Sequence, residues 1–244
     1  MINLIAINTS DDNISTSNLH IFDMIDLLVK KYNYKIIDIN LLYQENINQY
    51  LEKTYNKLPD NIFIIKGSSG ICDFKTDTKI NISFFIDDVH PGGVVRKKRT
   101  KSLTRVTHIF NTYAYAFNKY YPKRNYMLHW FPHSTRFTDI SFNDDPLPKI
   151  IITGRLNKEI YPNRQIIYDL SKKDKKIEYL KPNIGYRIKK KDFNDKMIFG
   201  KKFVLYINRY LCGFTCDLIE ERPYLVAKHF EIMASGALLL ACNP

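Results

Sequence analysis

Apolar positions along this chain fall into two alternating rhythms. Short apolar runs of strand length lie at residues 2–8, 34–39, 61–67, 80–87, 107–111 and 126–131. Between them the apolar residues recur at helical spacing, as with Leu19, Phe22, Ile25, Leu28 and Val29. This predicts helices over residues 19–32, 41–58 and 112–121. Strand and helix patterns in alternation predict βαβ units, a mainly parallel sheet and the α/β class. The segment Ser141-Phe142-Asn143-Asp144-Asp145-Pro146-Leu147-Pro148 combines prolines with acids and reads as a connector. It divides the chain into a domain at 1–142 and another at 149–244.

After the connector the pattern restarts. Residues 149–155 read as a strand ending in Gly154, and 163–172 as a helix entered through Tyr161-Pro162. The lysine-rich stretch 173–200 has no clear period. Residues 201–210 look helical and 211–216 look like a strand. The last helix is expected to open at Pro223, whose missing N–H would be unpaired at a first helical position anyway. It should turn Val226, Phe230 and Met233 to the core and carry Tyr224, Lys228 and Glu231 on another face. Gly236 is the expected stop, and Ala237 to Ala241 the closing strand.

Composition changes this picture only at a few points. With 244 residues, 45% of them hydrophobic, there is material for one large domain or two smaller ones. The net charge of +12 predicts attraction to polyanions, nucleotides or anionic membrane surfaces, with codon-driven surface lysine as the plain alternative. Cys72, Cys212, Cys216 and Cys242 lack a paired metal-ligand spacing, so no metal is expected and free thiols in a reducing compartment are. The N-terminal run has no basic leader and reads as a strand, and no run reaches the length of a membrane span. A soluble, cytoplasmic protein is the expectation.

In open α/β sheets ligands bind where strands end and loops turn into helices. The second half supplies such ends at Gly154-Arg155, at Thr215-Cys216 and at the start of the last helix, Tyr224, Leu225 and Val226. Free N–H groups and the positive end of a helix dipole attract phosphate there. Arg155, Arg164 and Lys228 can supply charge to a diphosphate, and Glu231 can accept from a ribose diol. The competing reading makes Lys228 and Glu231 a solvated helix pair. In the first half Asp87, Asp88, His90 and His133 are candidate bases toward an acceptor hydroxyl, or caps for a leaving group, with Asp88 and His90 as shapers of a turn before Gly92-Gly93 the alternative. The run Arg96-Lys97-Lys98-Arg99-Thr100-Lys101 reads as an exposed loop, with nucleic-acid or membrane contact as the alternative.

The run Lys228-His229-Phe230-Glu231-Ile232-Met233-Ala234-Ser235-Gly236, with its following strand, resembles the donor-binding signature of GT-B glycosyltransferases. It looks closest to the group related to spore-maturation glycosyltransferases and to similar enzymes of large DNA viruses, which makes a viral origin an expectation too. Thr153-Gly154-Arg155 through Tyr161-Pro162-Asn163-Arg164 also looks like the opening loop and helix of their second domain. The likeness is strong over 223–241, moderate over 150–165 and only topological over the first half. It implies two Rossmann-like domains, the second incomplete because such folds continue beyond this strand. It further implies metal-independent transfer of a sugar from a nucleotide-sugar donor to an acceptor, with no separate cofactor. By it Glu231 would hold the ribose, Tyr224 to Val226 the diphosphate, and Arg155 and Lys228 its charge. Where retaining members place a second Glu, eight residues before the first, this chain has Pro223. A basic nucleic-acid-binding protein and a non-catalytic nucleotide-binding remnant are the rival expectations.

Overall fold

The computed structural model describes residues 1–9, 13–15, 19–66, 74–87, 100, 103–122, 125–135, 139–158, 161–181, 187–189, 197–216 and 225–242. It is a mixed α/β chain in two compact units: residues 1–11 with 21–132, and residues 12–20 with 133–244. The division therefore falls between Pro132 and His133. Residues 133–142, read from the sequence with the first domain, group with the second unit, as does a short piece at 12–20.

The first unit is built on a six-stranded parallel sheet. Its strands are β1 (Asn3–Ile7), β3 (Lys35–Asp38), β4 (Asn61–Lys66), β5 (Asn81–Ile86), β6 (His108–Asn111) and β7 (Met127–Trp130), in the order β3-β1-β4-β5-β6-β7. Leu4, Ile5 and Ala6 are consecutive and fully buried, as expected of a central parallel strand covered on both faces. Helix α1 (Leu19–Tyr32) packs Ile21 and Ile25 onto Ile5, Ile65 and Phe85. Its buried stripe is set one position from Phe22, which is 49% exposed despite its place in the expected apolar face. The helix expected over 41–58 is divided. Asp38 caps a 3₁₀ turn (Ile39–Tyr43) by accepting from the Asn40 N–H at 2.7 Å. That local bond starts a tighter turn early, and α2 (Ile47–Tyr55) begins only after Asn46. Helix α3 (Ala114–Tyr120) buries Phe117 and connects β6 to β7.

The second unit holds a four-stranded parallel sheet in the order β12-β11-β8-β9. Its strands are β8 (Leu147–Thr153), β9 (Ile177–Leu180), β11 (Tyr210–Thr215) and β12 (Leu238–Ala241). Strand β9 lies in the stretch that showed no period, where lysines mask a short half-buried run. A two-stranded antiparallel ribbon, β2 (Asn13–Ser15) with β10 (Arg187–Lys189), also belongs to this unit. It pairs segments far apart in sequence, which local periodicity does not reveal. Helices α4 (Pro162–Ser171), α5 (Lys201–Ile207) and α6 (Ala227–Ala234) complete the unit among the described residues. Helix α5 ends earlier than expected, because Tyr210 already opens β11. Both parallel sheets are compatible with Rossmann-like domains. No helix among the described residues is long and apolar enough to cross a membrane.

The last helix departs most from expectation. It starts at Ala227, with Val226 extended at φ −73° and ψ 158° as the capping residue. Pro223 and Tyr224 lie outside the described residues. The face turned to the core is His229 and Ile232, while Met233 is 53% exposed. Gly213 on β11 explains the rotation. A Cβ there would stand 2.8 Å from Ile232 Cγ2 and 2.9 Å from Cγ1, so Ile232 occupies the space a side chain would fill. Gly236, at φ +80°, follows the helix end where a left-handed residue is required.

Candidate functional site

Sheet order locates the site in the second unit. From β8 the chain runs through α4 to β9 on one side, and later strands β11 and β12 lie on the other side. The reversal falls between β8 and β11, and crevices at such a reversal are where open α/β sheets hold ligands. The carboxyl ends of these two strands are Thr153 and Thr215. Their hydroxyls are buried and have no hydrogen-bond partner among the described residues.

Gly154 follows β8 at φ +97°, a conformation that L side chains rarely adopt. A Cβ at this position would meet Arg164 Nη1 at 3.0 Å, Arg164 Cζ at 3.2 Å and Lys228 Cε at 3.3 Å. Glycine thus lets two cationic side chains approach one point of backbone. The turn is fixed by side chains from two elements: Tyr179 on β9 donates to the Gly154 carbonyl at 3.0 Å, and Arg164 Nη1 donates to the Arg155 carbonyl at 2.9 Å. Tyr179 is held above its ordinary pKa chiefly by burial and stays a phenol donor.

Arg164 lies in the first turn of α4, with its guanidinium 4.1 Å over the Tyr161 ring. It is only 3% exposed, its Nε has no hydrogen-bond partner, and no carboxylate pairs with it among the described residues. A buried cation without a counter-charge is costly, and an anion supplied by a ligand would relieve that cost. Lys228, the second residue of α6, places its amine 4.1 Å over the Phe203 ring of α5. Burial pushes the amine below the usual lysine range, Glu231 opposes that shift and Arg164 adds to it. Lys228 Nζ and Glu231 Oε2 are 3.7 Å apart, with about 27% of each side chain exposed. They are a half-buried pair on one helix face and not a freely solvated one.

Of the remaining expected residues, Leu225 is exposed and Val226 half-buried just before α6, while Arg155 is exposed on the turn after β8. Gly154, Arg155, Arg164, Leu225, Val226, Lys228 and Glu231 all belong to the second unit. The sequence marks Thr215 as a strand end and Thr153 as part of the likeness at 153–155, but assigns neither hydroxyl a role. The only sequence signal for them is a threonine closing each of two apolar runs.

Asp88, His90 and the basic run at 96–99 and 101 lie outside the described residues, as does Cys72. Asp87 accepts from the Thr112 hydroxyl at 2.7 Å through its carbonyl and at 3.2 Å through its carboxylate. His133 groups with the second unit and is 4% exposed. Burial, with a smaller contribution from His229, lowers its pKa to about 4, so at neutral pH it is an uncharged imidazole and a weak base. The His229 Nδ1 lies 3.1 Å from the Val226 carbonyl, which only accepts, so that nitrogen carries the proton. Among the described residues Cys212, Cys216 and Cys242 form no disulfide, and no group of three or more His, Cys, Asp or Glu is placed to hold a metal. No protein-family model matches the chain, and neither does any curated protein.

Proposed function

We propose that the second unit binds the diphosphate of a nucleotide-sugar and that the protein is a glycosyltransferase of GT-B type. The observation that carries the reading is the buried Arg164 guanidinium, without a carboxylate among the described residues, beside Lys228 at the sheet's reversal point. The start of α6 adds a positive helix end and free N–H groups to these two cations. Glu231, one turn further along the same helix, is in a position to accept from the ribose hydroxyls. Catalysis would rest on stabilising the leaving diphosphate through Arg155, Lys228 and the helix dipole. The glycosyl part of this reading comes from the likeness of residues 228–236 to the GT-B donor signature. The phosphate part stands on the charges themselves.

Thermal-shift measurements with nucleoside diphosphates and their sugar conjugates test it. Stabilisation by at least one diphosphate is expected, and none with any of them would overturn the proposal. Glu231→Ala should weaken nucleotide binding about tenfold to a hundredfold, the worth of hydrogen bonds to a charged group. Unchanged affinity would remove Glu231 from the site. Hydrolysis or transfer of the sugar, followed chromatographically with the same panel, distinguishes an enzyme from a nucleotide-binding remnant.

A further inference from the structure

The two cations at the reversal point are not equivalent. One of them is a guanidinium, a planar group that proteins do not use as a proton donor or acceptor. Lys228 is a titratable amine packed over the Phe203 ring, with the Arg164 guanidinium and Lys228 Cε both within 3.3 Å of one point beside Gly154. Among the described residues the charged groups facing it are Arg164 from α4 and Glu231 from its own helix at 3.7 Å. Phe203 from α5 brings only a ring, and Gly154 after β8 brings no side chain. Two positive charges brought to one glycine in a half-buried setting repel one another, and the one carboxylate beside them among the described residues does not neutralise both.

A dianion bound between them reverses that balance. We propose that anion binding at this site is coupled to uptake of a proton by Lys228, so that the free site carries less charge than the occupied one. The reaction is a simple protonation: amine that is uncharged in the free protein takes one proton from solvent as the ligand's oxygens enter, and returns it when the ligand leaves. This deepens the phosphate-binding reading above and rests on it. The burial that lowers the Lys228 pKa in the free protein is consistent with the same balance. The functional consequence is release of the diphosphate favoured by rising pH.

Sulfate is a suitable probe, because it stays a dianion from about pH 6.5 to about pH 9.5, where phosphate esters would themselves titrate in part. Binding of sulfate and of nucleoside diphosphates to the full chain is measured by calorimetry in two buffers of different ionisation enthalpy. Above the free-state pKa of Lys228, wild type should take up close to one proton per sulfate, and its affinity should fall by up to about tenfold per pH unit. Lys228→Arg, permanently charged, should bind with no proton uptake, and Lys228→Met should bind weakly at every pH. Binding by wild type that is independent of pH and buffer would overturn the coupling and leave the anion site standing. Equal proton uptake in Lys228→Arg would overturn the assignment to this amine. Absence of binding by sulfate and by every nucleoside diphosphate would overturn the phosphate-binding function and the coupling with it.

Discussion

At the residue scale the second unit is defined by polar groups buried where few alternatives satisfy them. Arg164 is covered by Tyr161 and tied to the Arg155 carbonyl, yet its Nε remains unbonded among the described residues. His133 is the complementary case, a titratable ring kept neutral by burial. Its folded pKa of about 4 lies below the ordinary 6.5, so the unfolded chain binds more protons between those values. Stability is therefore full above about pH 6.5 and declines as pH falls toward about 4, by about 3 kcal/mol from this residue. Urea denaturation of wild type and His133→Asn across that interval checks the sign: the variant should lose the histidine's share of the slope. An equal slope in both would show that His133 is not neutral in the folded protein.

At the element scale, α6 joins the fold to the site. Its position is set by Ile232 lying against Gly213, and Lys228, one turn before Ile232, lies with Glu231 on the adjoining flank. A methyl group at Gly213 would stand 2.8 Å from Ile232, so the helix has to shift or the side chain has to leave its rotamer. Gly213→Ala should cost about 1–3 kcal/mol, read as a lower urea midpoint with unchanged slope. Because α6 carries the proposed ligand contacts, the same change should weaken nucleotide binding although Gly213 touches no ligand. The sequence reading placed Lys228 and Glu231 on one face correctly, since that follows from their spacing. It misplaced the core face, because Val226, Phe230 and Met233 satisfy a helical period equally well. The missing side chain on the neighbouring strand makes room for Ile232 and so selects its face.

At the scale of the whole molecule, the chain that carries the proposed anion site has a net charge of +12. Long-range attraction of this kind acts on encounter, whereas short contacts act on dissociation. The association rate of a nucleoside diphosphate should therefore fall as salt rises from about 10 mM to about 150 mM, where the Debye length shrinks from about 30 Å to about 8 Å. Glu231→Ala should act mainly on the dissociation rate. Stopped-flow fluorescence with a labelled nucleotide separates the two effects.

The sequence by itself determined the α/β class, most strand positions and the first helix, because apolar period and strand length are local properties. It also brought Gly154, Arg155, Lys228 and Glu231 forward as ligand candidates, since each stands at the start or end of a legible element. Tertiary structure alone decided that β8 and β11 are neighbours and that their ends meet at the reversal of the sheet. It decided that Arg164 and Lys228, far apart in the chain, converge on the same glycine. It also placed His133 in the second unit and drew β2 to β10. These are long-range pairings, fixed by which surfaces exclude water together, and no window of neighbouring residues carries that information.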